Sequence, residues 1–298
     1  MEKRENEIIG FAGLGLMGLP MAARIADTGT PLLVWNRSPE KAQAFCRRYP
    51  GVESAPTPAD LARQSTTVVV MLSDSTAVEE VVCGEDGLLA SIAPDSLLID
   101  MGTTAVPLTQ RLAALAAVKG AEFVDAPVSG GVVGAEQGSL SIMAGGAEEA
   151  VERASHLFGI VGQRVVHIGG CGSGQVAKMA NQIIVGLNIG AVSEAFLLAE
   201  SAAADLGAVR EALAGGFAAS RVLELHGQRM IEEDFEPGGR CRTQLKDLQQ
   251  ALDFAAELGI SLPATELCRD LYRSLLEAGD GDLDHSALIR EIRRLSSG

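Results

Sequence analysis

The chain is predicted to be an α/β protein, with an N-terminal doubly wound parallel sheet over residues 1–168 and an all-helical C-terminal domain over residues 169–298. One long interdomain helix opens the second domain. Three observations lead there. Short apolar runs alternate with helix-length segments through the first half, as in a parallel sheet with crossover helices. The first of those runs passes straight into glycines at G-x-G-x-x-G spacing. After Gly174 no run reads as a strand, and the chain is broken only by glycines and prolines at helix-like intervals.

The first run, from Ile8 to Ala12, suits a buried strand, and the turn that follows is Gly13-Leu14-Gly15-Leu16-Met17-Gly18. Gly13 permits a tight turn, Gly15 lets the backbone approach a pyrophosphate, and Gly18 lets the next helix sit close to the sheet. The N-terminus of that helix adds N–H groups and partial positive charge for phosphates. Alone, the spacing is a glycine-rich turn of any α/β protein. The second run, Leu32-Leu33-Val34-Trp35, supplies the context, because it ends at Asn36-Arg37-Ser38, where a dinucleotide site reads the adenosine ribose. An acidic residue there would accept from the 2′-hydroxyl of NAD and repel a 2′-phosphate. Asn36 is neutral, Arg37 offers a planar fork of donors and Ser38 a hydroxyl, so NADP(H) is expected over NAD(H). The alternative is that Arg37 stacks on the adenine and admits either cofactor.

Further strand-like runs fall at Val68–Leu72, Ser96–Asp100, Glu122–Asp125, Leu140–Met143 and Arg164–Ile168, with helix-length segments such as Pro39–Arg48 and Val106–Lys119 between them. The glycines from Gly169 to Gly174 break this pattern. A long helix is expected from about Ser173 to Ala204, and later breaks near Gly207, Gly215-Gly216, Pro237-Gly238-Gly239, Gly259 with Pro263, and Gly279–Gly281.

Within the long helix, Lys178 is the one formally charged residue between Arg164 and Glu194. Its neighbours Val176, Ala177, Met179, Ala180, Ile183 and Ile184 make the helix apolar nearly all round, which predicts burial. Asn181 and Gln182 fall on the lysine's face one turn later. The lysine could snorkel to water along its stem. The glycine-rich hinge just before it places it near a domain junction, where clefts form, and there an ammonium could protonate a carbonyl oxygen as hydride arrives. Asp125-Ala126-Pro127-Val128-Ser129-Gly130-Gly131 follows a strand end, and its hydroxyl and bare backbone N–H groups would seat a carboxylate, although a plain tight loop reads equally well.

Composition excludes other classes. The 298 residues are 47% hydrophobic and carry a net charge of −15, which opposes nucleic acid and anionic membranes as partners. The first seven residues have mixed charge and do not resemble a targeting signal. Asn188, Ser193 and Glu194 interrupt the most apolar stretch, so no membrane span is expected. Five scattered cysteines suggest neither zinc nor disulfides and suit a cytoplasmic location. His156, His167, His226 and His285 are isolated in sequence, with no metal-ligand spacing, and no metal is expected. His167 reads as a structural residue, and His285 as a cap of the final helix or a residue at the cleft.

Together these pieces resemble the β-hydroxyacid dehydrogenase family, which includes 3-hydroxyisobutyrate dehydrogenase, tartronate semialdehyde reductase (2-hydroxy-3-oxopropionate reductase) and, more distantly, 6-phosphogluconate dehydrogenase. The resemblance spans nearly the whole chain and rests on GLGLMGLPMA, DAPVSGG, GSGQVAKMANQ and LKDLQQALD in that order. The stretch KMANQIIVGLNIGAVSEA with DHSAL looks most like the tartronate semialdehyde reductases. The resemblance implies a Rossmann domain and a helical domain that forms a homodimer or homotetramer. It implies a catalytic Lys178, a small anionic carbonyl or hydroxy-acid substrate held by Ser129, Gly130 and Gly131 with Asn181 and Gln182 nearby, and Lys246 at the cofactor and substrate site. Met71, Leu72 and Thr103 or Thr104 would line the nicotinamide side. Many relatives have two asparagines where this chain has Asn181-Gln182, so contacts there stay open. Imine reductases share the fold but usually lack the lysine. The expected activity is reversible reduction of a small 3-oxo acid, first of all as a tartronate or succinic semialdehyde or glyoxylate-type reductase, with a 3-hydroxyisobutyrate dehydrogenase, an imine reductase or a non-catalytic NADP-binding protein as alternatives.

Overall fold

A computed structural model describes residues 8–297; the mixed-charge segment 1–7 lies outside the described residues. The chain forms two compact units, the first ending at Lys178 and the second beginning at Met179. The sequence places the break at residue 168, and the family of helices that follows starts at Ser173.

The first unit is built on one sheet. Its strands are β1 (Ile9–Ala12), β2 (Leu32–Trp35), β3 (Glu53–Ser54), β4 (Thr67–Val70), β5 (Leu97–Asp100), β6 (Glu122–Asp125), β7 (Val128–Ser129), β8 (Leu140–Gly145) and β9 (Gly162–Gly169). The order is β3-β2-β1-β4-β5-β6-β8-β7, with β9 paired to β8. Strands β1 to β6 are parallel. In-register pairing aligns Trp35, Ala12, Val70, Asp100 and Asp125 in one row along the carboxyl edge of the sheet. Because the chain winds outward in both directions from β1 and β4, their boundary is the switch point at which doubly wound sheets open a ligand crevice.

Side chains alternate between two buried layers. Phe11, Val34, Val69, Ile99 and Val124 pack on one face, and Leu33, Val68, Val70, Leu98 and Phe123 on the other. With both faces covered by helices, the strands read as continuous apolar runs, which is why the sequence exposes them.

Three details differ from the sequence reading. β8 runs antiparallel to β6 and β7, because the short connection over residues 130–139 cannot make the long crossover that a parallel neighbour needs. β3 and β7, at two residues each, are too short to carry a periodic signal. The break expected near Gly207 falls a few residues earlier, between Ser201 and Leu206 at Ala203 with its positive φ of 57°, and Gly207 itself lies in the first turn of helix Leu206–Ala214, which Asp205 caps by accepting from Ala208 N–H.

The second unit is helical throughout its described residues, with one isolated bridge between Arg240 and Asp284. Ile189, Phe196, Leu223, Met230, Leu248, Tyr272 and Leu288 form its core. The long helix spans Ser173–Ser201 and is long and apolar enough, by length and composition alone, to cross a membrane. It is not buried all round as expected. Ile184 is 62% and Leu198 74% exposed, since an apolar composition on every face does not supply each face with a partner in the same chain.

Candidate active site

The glycine turn joins β1 to the helix Gly18–Asp27. Gly13, at a φ of +107°, donates its N–H to the Trp35 carbonyl, and a Cβ on it would stand 2.3 Å from the Met71 carbonyl oxygen. A Cβ on Gly18 would stand 1.9 Å from the Gly13 carbonyl oxygen. Gly15 differs, with no heavy atom within 4 Å of where its Cβ would be. Leu16 is exposed and Met17 half-buried, and the helix begins without a side-chain cap or an acidic residue in its first turn. An open backbone facing an uncapped helix N-terminus fits a dinucleotide pyrophosphate.

Asn36 turns inward. Its Oδ1 accepts from Leu14 N–H at 2.9 Å, and its Nδ2 donates to the Ser38 carbonyl at 3.0 Å. The carboxamide therefore ties the loop after β2 to the glycine turn. Arg37 and Ser38 remain exposed, Ser38 as the residue before helix Pro39–Arg48.

At the ends of β4 and β5 lie the other expected cofactor-side residues. Met71 and Leu72 follow β4, half-buried, with Met71 N–H bonded to the Ala12 carbonyl at the switch point. After β5, Asp100 organises the turn, its Oδ1 accepting from Gly102 N–H at 2.9 Å and its Oδ2 from the Thr104 hydroxyl at 2.5 Å. Thr104 is fully buried and Thr103 half-buried.

The segment read as a loop around Ser129 is a strand end followed by a turn. Val128 and Ser129 pair with Ile142 and Ser141, and helix Gly131–Gln137 starts directly afterwards. Gly130 and Gly131 have φ of +138° and +63°, which favours glycine at both. Lys178 is 9% exposed, and its Nζ donates to the Val128 carbonyl at 2.7 Å. The ammonium is held inside the first unit, one residue from Ser129, and does not extend to water.

Two buried residues beside this site, Asp125 and Gln175, stand in motifs quoted from the sequence but with no role assigned to them there. Asp125 Oδ1 accepts from Gly172 N–H at 2.7 Å and its Oδ2 from Gln175 N–H at 3.0 Å, so a carboxylate from the end of β6 caps the helix that carries Lys178. Burial pushes the Asp125 carboxyl above the usual carboxylate range, and these backbone donors partly oppose the rise. Gln175 donates from Nε2 to the Gly102 carbonyl and accepts at Oε1 from Thr104 N–H, both at 3.0 Å. Their partners lie 47 to 73 positions away, beyond any local pattern.

In the second unit, Gln182 donates to Asp247 Oδ2 at 2.6 Å and accepts from Asn181 Nδ2 at 2.8 Å. Gln244 donates to the Gln182 carbonyl, and Lys246 Nζ lies 2.8 Å from Asp247 Oδ1. The expected residues Asn181, Gln182 and Lys246 thus share one network around a buried aspartate, with the Gln182 carboxamide engaged at both ends.

The histidines are not all isolated. His226 and His285 meet at 3.2 Å through their Nε2 atoms, and with Asp284 their ligand atoms fall within 4.8 Å of one another. The Asp284 carboxylate is already engaged, its Oδ1 by Ser286 and His226 and its Oδ2 by Gly238 N–H, Gly239 N–H and Arg229. It is Asp284, not His285, that caps the turn into the final helix. His167 Nε2 faces two carbonyls, of Gly146 and Gly169, and so carries its proton as a structural donor.

Residues 8–169 match the family model described as the NAD binding domain of 6-phosphogluconate dehydrogenase, and residues 172–292 match that of the NAD-binding domain of NADP-dependent 3-hydroxyisobutyrate dehydrogenase. The chain is 42% identical over 289 residues to 2-hydroxy-3-oxopropionate reductase of Escherichia coli (strain K12), covering 97% of this chain and 98% of that one. Among solved structures it is similar to Mycobacterium tuberculosis 3-hydroxyisobutyrate dehydrogenase with L-serine, at a TM-score of 0.88 and 30% identity, over 97% of this chain and 100% of that chain. It is also similar to Psf3 in complex with NADP+ and 2-OPP, at a TM-score of 0.87 and 25% identity, over 96% and 100%.

Proposed function

The chain belongs to the 3-hydroxyisobutyrate dehydrogenase-like β-hydroxyacid dehydrogenase family and is an NAD(P)-dependent hydroxyacid dehydrogenase, and from that premise we propose that it reduces a small 3-oxo acid, a semialdehyde, to its 3-hydroxy acid with NADP(H) preferred over NAD(H). The observation that carries this reading is the buried Lys178 ammonium bonded to the Val128 carbonyl beside Ser129. When bound, a reduced nicotinamide supplies hydride to the substrate carbonyl carbon. Lys178 gives its proton to the carbonyl oxygen, and in the oxidative direction its neutral amine takes the hydroxyl proton back. Ser129 with Gly130 and Gly131 holds the substrate carboxylate. Asn181, Gln182 and Lys246 are retained as substrate and cofactor contacts on the family match alone.

The NADP(H) preference is supported by Arg37 and Ser38, exposed where a 2′-phosphate would need donors while Asn36 is turned inward. The NADP+ complex of the similar Psf3 structure agrees with it. Tartronate semialdehyde is the first substrate to try, given the named reductase at 42% identity, followed by succinic semialdehyde, glyoxylate and methylmalonate semialdehyde. A cytoplasmic enzyme is proposed from its free, dispersed cysteines. A homodimer or homotetramer is proposed from the groove formed by Leu198, Leu267, Leu271 and Leu295 on the helical unit, and a monomer in light scattering would exclude it.

The test is oxidation of NADPH and NADH against those four carbonyl compounds and a cyclic imine. Lys178→Ala should lower kcat about a hundredfold or more while NADPH binding persists. Near-wild-type turnover by that variant would overturn the mechanism, and activity on the imine alone would favour an imine reductase.

A further inference from the structure

Gln175 lies one helical turn before Lys178 and is fully buried. A buried carboxamide is costly unless both ends are bonded, and an apolar side chain would fill the same space more cheaply. Both ends are bonded here, to two backbone groups of one short segment, Gly102 C=O and Thr104 N–H. Asp100 holds that same segment from the strand side through Gly102 N–H and the Thr104 hydroxyl. Asp125 holds the helix, taking the N–H groups of Gly172 and of Gln175 itself. The helix start cannot slip by one residue, about 100° and 1.5 Å, without breaking all of these bonds at once.

We propose that Gln175 is a positioning residue, a tie between the Gly102–Thr104 segment and the first turn of the helix that bears Lys178, holding the nicotinamide-side loop and the proton donor in one register. The tie rests on the function proposed above. Displacements of about 1 Å at a reacting centre cost up to roughly a hundredfold in rate, so the effect of Gln175 belongs in kcat.

The experiment compares the full-length wild type with Gln175→Met, which keeps the shape and loses both bonds. Gln175→Glu keeps an acceptor for Thr104 N–H but sets an oxygen against the Gly102 carbonyl, and Lys178→Ala serves as the reference. Hydrogen exchange of the segment 101–106 is measured on the protein alone, NADPH affinity by fluorescence titration, and kcat and KM on the best substrate. The tie predicts faster exchange in both Gln175 variants, NADPH affinity within about twofold, KM within about threefold and kcat lowered about tenfold or more. Should Gln175→Met not fold, Gln175→Glu decides by the same readings. Wild-type kcat despite faster exchange, or a loss confined to thermal stability or NADPH affinity, would overturn the tie. If Lys178→Ala is inactive and the Gln175 variants turn over normally, only the tie is wrong. If Lys178→Ala stays active, the acid–base reading falls and the tie falls with it.

Discussion

Alanine in place of each glycine of the first turn should separate folding from cofactor binding. At Gly13 the φ of +107° costs an L-residue about 1–3 kcal/mol, and relieving a 2.3 Å approach to the Met71 carbonyl adds about 1–3 kcal/mol more. For a chain of this size each kcal/mol lowers Tm by roughly 2–4 °C, so Gly13→Ala should melt roughly 5–20 °C lower. Gly18→Ala, with its Cβ 1.9 Å from a backbone oxygen, should behave similarly. Gly15 lies outside the left-handed region and faces open space. There alanine meets nothing in the folded chain and restricts the unfolded one, so Tm should hold or rise slightly. The same methyl keeps a pyrophosphate from the backbone. Losing one or two charge-assisted hydrogen bonds, about 3 kcal/mol in all, corresponds to a Kd for NADPH about a hundredfold higher. Scanning fluorimetry without ligand and a fluorescence titration with NADPH measure the two effects. Wild-type NADPH affinity in Gly15→Ala, or a melting loss equal to that of Gly13→Ala, would refute the assignment of the turn.

Two other substitutions test separate parts of the molecule. Arg37→Ala should lower kcat/KM with NADPH by about 10- to 100-fold and leave NADH nearly unchanged, if the fork makes the charge-assisted bonds to the 2′-phosphate proposed for it; an equal loss with both cofactors would favour adenine stacking. Asp284→Asn should cost about 3 kcal/mol at neutral pH, because it removes the charge from a buried carboxylate that serves Arg229 and His226. Burial raises the Asp284 carboxyl, but the His226 hydrogen bond, the His285 charge and Ser286 outweigh it and hold the group well below the usual range. A depressed carboxylate stabilises the fold above its unfolded value near pH 4 and loses that contribution as pH falls towards the folded one. The gap in Tm between wild type and variant should therefore be full at pH 7 and narrow below about pH 4; a gap that widens on acidification would contradict this.

Much of the first unit was legible because its strands are buried on both faces. Leu32–Trp35 and Glu122–Asp125 coincide with the runs read from the sequence, and helix Pro39–Arg48 does as well. Local chemistry also marked the glycine turn and the single lysine in an apolar helix. What stayed hidden was long-range. Asp125, Gln175 and Asp247 are ordinary polar residues in sequence, and their importance lies in partners brought near only by the folded topology. The inward turn of Asn36 and the meeting of His226 with His285 were concealed for the same reason.

Trp35 closes β2, half-buried, and its carbonyl receives the Gly13 N–H at 2.9 Å. The chain holds one tryptophan in all. Its ultraviolet emission is therefore a built-in, unlabelled gauge seated between the glycine turn and Arg37, and any change in spectrum or lifetime as a dinucleotide arrives reports from that single place without deconvolution.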